Sequence, residues 1–185
     1  MPYMETTKDT SLVKFMFVDV DPNRCIGCGI CELVCSLEKT GNKAFNPLKS
    51  RIRVLRIPPA FNLAISCRLC EDPPCVRACP RGALRQSENG LIVVNEDKCN
   101  GCGWCIKACD FGSITIDPDE KIAIVCDLCK QRKGIGVFPG RKIANPACIE
   151  WCPEEAIELV SRERLAQKAR ELTLIKLLSG SRKPE

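Results

Sequence analysis

Apolar residues fall in short runs broken by proline, glycine and charge, and the period of those runs changes along the chain. Phe15 to Val20 (Phe-Met-Phe-Val-Asp-Val) predicts a strand stopped by Asp21-Pro22. Glu32 to Lys39 predicts a short helix, and Thr40 to Pro47 a turn-rich connector. Arg51-Ile-Arg-Val-Leu-Arg-Ile57 mixes basic and apolar residues at a period near two. That predicts a half-exposed strand with a solvated arginine face, ended by Pro58-Pro59. Between residues 82 and 95 the Asn89-Gly90 dipeptide precedes an apolar run, a hairpin signal. Ser113 to Val125 predicts a second hairpin.

The last periodic stretch, Ser161 to Leu178, has helical spacing, with Ser161 placed as N-cap and Gly180 where a helix stops. Leu165, Ala169, Leu172 and Ile175 form its apolar stripe; Lys176 interrupts one side, while Leu174, Leu177 and Leu178 widen the last turns. A free tail should not expose so much apolar surface, so the helix is expected to pack on its own domain or on another subunit. Residues 1–11 read as loose and polar, and the Gly- and Lys/Arg-rich insertion from Lys130 to Ala147 as a surface or docking loop. Its Gly134-x-Gly136 follows no strand and lacks the rest of a dinucleotide fingerprint.

Cysteine changes this picture most. There are 16 in 185 residues and no histidine. Cys99-Asn-Gly-Cys102-Gly-Trp-Cys105-Ile-Lys-Ala-Cys109 has the C-x2-C-x2-C-x3-C spacing of bacterial ferredoxins. Cys25, Cys28, Cys31 and Cys35 repeat it. Cys67, Cys70, Cys75 and Cys79 repeat it with two extra residues, ending in Pro80, and Cys126, Cys129, Cys148 and Cys152 with 18 residues in the middle, ending in Pro153. No cysteine is left over. In each motif the first three thiolates suit one [4Fe–4S] cubane and the fourth a different one, so motifs must work in pairs. Four cubanes are expected.

Two other readings of the cysteines are weaker. No secretory signal precedes them, so a reducing cytoplasm is expected and metal ligation preferred to disulfides. Zinc sites use isolated C-x2-C pairs and have no need of the third and fourth cysteines at these offsets. No apolar run approaches the roughly 20 residues of a transmembrane helix. The formal charge of +5 is misleading, because four oxidised cubanes at roughly −2 each bring the loaded protein to about −3; no nucleic-acid partner is expected.

The hairpin-length linker between the second and third motifs pairs them, leaving the first and fourth to pair across the chain. The expected ligand sets are Cys67, Cys70, Cys75 and Cys109; Cys99, Cys102, Cys105 and Cys79; Cys25, Cys28, Cys31 and Cys152; and Cys126, Cys129, Cys148 and Cys35. The fold class is therefore α+β, with two ferredoxin-like two-cluster units, one inserted in the other. The outer unit takes residues 15–57 and 110–160, the inserted unit 58–109, and a helical tail 161–185. Shared patterns support duplication: Cys79-Pro-Arg-Gly-Ala-Leu, Cys109-Asp-Phe-Gly-Ser-Ile and Cys152-Pro-Glu-Glu-Ala-Ile. No residue is assigned a catalytic role. Trp104 and Trp151 are expected to pack against clusters. The reading is an electron wire whose chemistry lies on another chain.

Residues 15–160 resemble the four-cluster ferredoxin-like subunits of molybdenum and tungsten oxidoreductases and some hydrogenases. Cys31-Glu-Leu-Val-Cys-Ser-Leu-Glu and Phe45-Asn-Pro-Leu-Lys-Ser-Arg-Ile-Arg-Val54 resemble the small subunits of tungsten aldehyde oxidoreductase-family enzymes, including relatives acting on aromatic coenzyme A thioesters. That resemblance implies a large catalytic partner with tungstopterin or molybdopterin, and a ferredoxin or flavin subunit as acceptor. Ser36 and Asp110 depart from the proline that often follows the fourth cysteine. The alternatives are a free-standing polyferredoxin shuttle, an electron-transfer subunit of a hydrogenase or molybdenum formate dehydrogenase, and an assembly subunit linking copies through the C-terminal helix.

Overall fold

The structure, a computed structural model of the chain, describes residues 16–41, 43, 45–59, 61–130 and 145–180. The expectations for residues 1–11 and for most of the 130–147 insertion lie outside them. Regular elements are short, because each run of chain between cysteines is short. In order they are β1 Phe17–Val20, α1 Ile30–Lys39, β2 Ile52–Ile57, β3 Phe61–Ser66, α2 Pro74–Arg77, β4 Leu84–Gln86 and β5 Ile92–Val94. Then follow α3 Trp104–Lys107, β6 Thr115–Ile116, β7 Ala123–Ile124, α4 Ala147–Glu150, β8 Ile157–Val160 and α5 Arg162–Gly180.

Four two-stranded antiparallel ribbons carry these elements: β1 with β8, β2 with β3, β4 with β5, and β6 with β7. The first joins the two ends of the chain, Phe17 facing Val160 and Val20 facing Ile157. Both expected hairpins form, Leu84 facing Val94 and Thr115 facing Ile124. Asp117 holds the tight connection of the second, its carboxylate accepting the amide N–H groups of Asp119 and Glu120. The expected strand at 51–57 is also present, but Pro58-Pro59 does not end a lone strand. It lies at the tip of a hairpin whose second arm, β3, the sequence reading missed. This hairpin runs across residue 58, where the inserted unit was expected to start.

The arginines of that stretch do not form one solvated face. The Arg51 guanidinium pairs with Asp127 at 3.0 Å, Arg53 donates to the carbonyls of Pro47 and Leu48, and Arg56 donates to the Gly27 carbonyl. Alternation explains the split, since Arg53 and Arg56 project from opposite faces of β2.

Helix contacts pair the motifs as the strands do: α1 packs on α4 and α2 on α3. Two apolar cores result. One gathers Phe17, Leu69, Leu84, Ile92, Ile114 and Val160, the other Val18, Ile52, Ala64 and Ile157, and Leu128 packs against both. Ser161 caps α5 as expected, accepting the Arg164 N–H at 3.2 Å. The first turns of α5 are tied to the body: Leu165 packs on the first core, Arg162 donates to the Leu69 carbonyl and pairs with Glu71, and Lys168 pairs with Glu158. Beyond Lys168 the described side chains, Leu172 to Leu178 among them, are exposed. No described helix is long and apolar enough to cross a membrane.

One buried group works against stability. Glu38 on α1 is fully enclosed, and among the described residues neither carboxylate oxygen has a hydrogen-bond partner. A buried acceptor without a donor costs about 1–3 kcal/mol. Glu38→Met, which keeps the bulk and removes the polar oxygens, is therefore expected to raise the anaerobic melting temperature of the loaded protein; a fall would show that Glu38 has a partner in solution.

Four thiol sites as the candidate redox centres

The sixteen cysteines are all free thiols, and the fold gathers them into four groups. Site 1 is a small opening lined by Cys25, Cys28, Cys31 and Cys152, with Val54, Ala64 and Ile157 around it. Site 3 is lined by Cys67, Cys70, Cys75 and Cys109. Site 4 is lined by Cys79, Cys99, Cys102 and Cys105. The four remaining thiols, Cys35, Cys126, Cys129 and Cys148, are called site 2. Burial pushes the Cys148 thiol up, and the charges of Cys126, Cys35 and Cys129 push it further. Each group takes three cysteines from one motif and a fourth from another. Among the described residues no three histidine, cysteine or acidic side chains converge closely enough to hold a single metal ion. In sites 1, 3 and 4 the thiols ring a volume instead, as a multi-atom cluster requires.

Local backbone geometry aims the thiols. The third residue of the first C-x-x-C turn in each motif is left-handed: Gly27 at φ 70°, Leu69 at 46°, Gly101 at 69° and Leu128 at 54°. Glycine adopts this conformation freely, and at two of the turns it is also required by close approach. A Cβ on Gly27 would stand 2.7 Å from the Asn62 side chain, and one on Gly101 would stand 2.3 Å from the Lys121 carbonyl oxygen. Leucine in the same conformation costs roughly 1–2 kcal/mol. Burial offsets that cost, since Leu69 is only 2% exposed. Leu69→Gly removes the strain but also a buried side chain of about 2–5 kcal/mol. The net expectation is a less stable loaded protein whose visible absorbance bleaches faster in air. An unchanged melt and bleaching rate would mean that Leu69 does not seal site 3.

The fourth cysteines receive backbone donors. Ala83 N–H donates to Cys79 Sγ at 3.3 Å and Ala156 N–H to Cys152 Sγ at 3.3 Å, while Cys109 Sγ lies 3.3 Å from Ser113 Oγ. The repeated Cys-x-x-x-Ala/Ser pattern thus has a structural cause: the residue four places on bonds the sulfur. Arg51 N–H serves Cys35 in the same way at 3.2 Å. At Cys79 burial raises the thiol, but the amides of Ala83, Arg81, Leu84 and Gly82 outweigh it and hold its pKa below the ordinary value. Burial pushes Cys31 up to about 12, helped by Glu32 and Cys28, and Cys67 up to about 12. These two thiols hold their protons firmly, so a metal that binds them must displace those protons.

Charge coupling between groups gives their order. After burial, Cys148 in site 2 is raised in part by Cys31 of site 1, Cys126 in site 2 by Cys67 of site 3, and Cys75 in site 3 by Cys105 of site 4. Sites 1 and 2, 2 and 3, and 3 and 4 are thus neighbours. Only Cys28 and Cys102, one in each end site, are exposed.

The two inner sites carry opposite charges at one equivalent position. Asp127 in Cys126-Asp-Leu-Cys129 is gripped by Lys39 at 2.6 and 2.8 Å and by Arg51. Arg68 in Cys67-Arg-Leu-Cys70 pairs with Asp19 at 2.6 Å, its guanidinium 5.2 Å from the Phe17 ring and 5.9 Å from that of Phe111. Sequence reading missed this contrast, although Cys-Asp-Leu-Cys against Cys-Arg-Leu-Cys was the signal. Trp104, expected to pack against a cluster, lines site 4 yet is 56% exposed, with the Lys107 ammonium 5.4 Å from its ring centroid.

Cysteine groups of this composition, served by backbone N–H donors and sealed by short ribbons, define a ferredoxin-like iron–sulfur electron-transfer protein. The profile of the 4Fe-4S dicluster domain matches residues 60–162, and that of a 4Fe-4S binding domain matches residues 17–37. The chain belongs to the 4Fe-4S dicluster family. It is 37% identical over 150 residues to the polyferredoxin-like subunit of the aliphatic sulfonate oxidoreductase of Pyrococcus furiosus, covering 79% of this chain and 78% of that one. It is 32% identical over 174 residues to the B subunit of the anaerobic dimethyl sulfoxide reductase of Escherichia coli, covering 84% and 78%. Among solved structures, the active-site complex BamBC of benzoyl coenzyme A reductase aligns over 87% of this chain and 90% of the other at 20% identity, with a TM-score of 0.45. The protein is thus an iron–sulfur electron-transfer subunit of the oxidoreductase type.

Proposed function

We propose that the chain holds four [4Fe–4S] clusters, one in each site, and connects a catalytic chain to a second redox partner. The observation that carries this reading is three openings that each join three cysteines of one motif to the fourth of another, with Cys35, Cys126, Cys129 and Cys148 coupled by charge. The ligand sets are Cys25, Cys28, Cys31 and Cys152; Cys35, Cys126, Cys129 and Cys148; Cys67, Cys70, Cys75 and Cys109; and Cys79, Cys99, Cys102 and Cys105. Bound there, each cluster supplies a one-electron centre. The residues around it hold it by four thiolates and leave no iron for a substrate. Exposed thiols at the two ends give the row an entry and an exit.

Two further parts of the reading rest on the topology. One two-cluster unit is inserted in the other, supported by the β1–β8 pairing and by the α1–α4 and α2–α3 contacts. The inserted unit is better started after Ser66, so that the β2–β3 hairpin stays whole. The catalytic partner is a tungstopterin enzyme of the aldehyde oxidoreductase type, supported by the stretches at residues 31–38 and 45–54. A reducing cytoplasm suits sixteen unpaired thiols.

Purification from the native host through a tag on this chain, followed by metal analysis, tests all of this. About sixteen irons per chain, beyond those of the partner, are expected with stoichiometric tungsten. Molybdenum or nickel in its place would replace the partner. Iron on a lone chain would leave a shuttle, and about eight irons would overturn the four-cluster count.

A further inference from the structure

The β2–β3 hairpin has two unlike faces. Its inner face is formed by the pairs Ile52–Ser66, Val54–Ala64 and Arg56–Asn62. Val54 and Ala64 line site 1, Arg56 bonds the Gly27 carbonyl, and Asn62 abuts Gly27. The hairpin is thus bonded to the loop that carries Cys25 and Cys28. Its outer face is formed by the alternate pairs Arg53–Ile65, Leu55–Leu63 and Ile57–Phe61. Five of those six residues are apolar, with Ile57 61% and Phe61 74% exposed. The sixth, Arg53, turns its guanidinium back onto the Pro47 and Leu48 carbonyls, so it does not interrupt the face.

A two-stranded ribbon is marginal alone, and an apolar ladder exposed on its outer side needs a cover. We propose that this outer face is where the catalytic chain docks, so that site 1 is the end of the row facing it. The proposal rests on the reading of the chain as an electron-transfer subunit. Three observations select this occupant. The face is apolar, as permanent interfaces are, whereas a carrier that leaves after each turnover uses a more polar surface. It backs directly onto site 1, and packed sheet layers stand only about 10 Å apart, so a chain seated here lies close to the exposed Cys28. The opposite end is chemically unlike it. There Trp104 is accompanied by the exposed cations Arg81, Lys98, Lys107 and Lys121 around Cys102, a mixed surface suited to a departing partner.

The test uses the loaded complex purified anaerobically from the native host. A photoreactive phenylalanine analogue is placed at position 61 and, in a second preparation, at position 104. On irradiation, position 61 is expected to cross-link to the catalytic chain and position 104 is not. Ile57→Glu combined with Phe61→Glu is expected to lower the retained catalytic chain by about tenfold or more (~1.4 kcal/mol per tenfold), with iron per chain unchanged. Cross-linking of position 61 only to a second copy of this chain, silence at 61 with a cross-link at 104, or full retention by the iron-replete double variant would each overturn the docking face. A wild-type preparation that carries iron but no catalytic chain would instead overturn the subunit reading itself.

Discussion

Cys152→Ser is expected to disturb the same cluster as Cys31→Ser, although the two residues belong to motifs at opposite ends of the chain. Cys35→Ser, only four residues from Cys31, is expected to disturb a different cluster, the one also lost in Cys148→Ser. The reason is the crossing of fourth cysteines between α1 and α4, which pack on each other. Each single variant should lose up to about four of roughly sixteen irons, and electron paramagnetic resonance of the reduced proteins should sort the four variants into two pairs. The pairing Cys31 with Cys152 and Cys35 with Cys148 is required. If Cys31→Ser and Cys35→Ser instead abolish the same signal, the motif serves a single cluster and the crossed assignment fails.

Removal of all clusters should have a larger effect, the loss of the tertiary fold. The elements between cysteines are too short to persist alone: α2, α3 and α4 have four residues each, and β6 and β7 two. Helices below about twelve residues are marginal in water, and so is a lone ribbon. Several buried core positions are the thiols themselves, among them Cys67, Cys75, Cys105 and Cys126 in one core and Cys31, Cys35 and Cys148 in the other. Iron chelation under anaerobic reducing conditions is therefore expected to collapse the near-ultraviolet circular dichroism and abolish a cooperative melt. A chelated protein that kept a sharp melt would show that packing, rather than ligation, holds the ribbons together.

The 4Fe-4S ferredoxin-like character was readable in the sequence because cysteine spacing encodes the local turn that presents the thiols. The hairpins at 82–95 and 113–125 were readable for a similar reason, since turn residues such as Asn89-Gly90 fix register. What escaped was set at a distance. β3 was missed because Pro58-Pro59 reads as a stop, and nothing local in Phe61 to Ser66 says that these residues fold back over site 1. The arginines of β2 were expected to be solvated because alternation predicts a face but not what the face meets. Arg56 meets a cluster-loop carbonyl and Arg51 a buried carboxylate. Leu69 and Leu128 were invisible as strained residues, since leucine gives no sequence signal for a left-handed turn. The helical tail was predicted in type and cap, and its first turns pack on its own domain.

The pairing of β1 with β8 also sets a schedule for synthesis. Residues 67–109 contain every cysteine of sites 3 and 4, so this stretch can be filled while the rest of the chain is still being made. Cys25, Cys28 and Cys31 emerge first, yet they wait for Cys152, and β1 waits for the last strand. The earliest cysteines to leave the ribosome are therefore among the last to be closed, and through that interval they stay open to wrong metals and oxidants. A cell making this chain must supply iron and sulfide in sequence, sites 3 and 4 first, and the N-terminal motif is where a failure of supply would first appear.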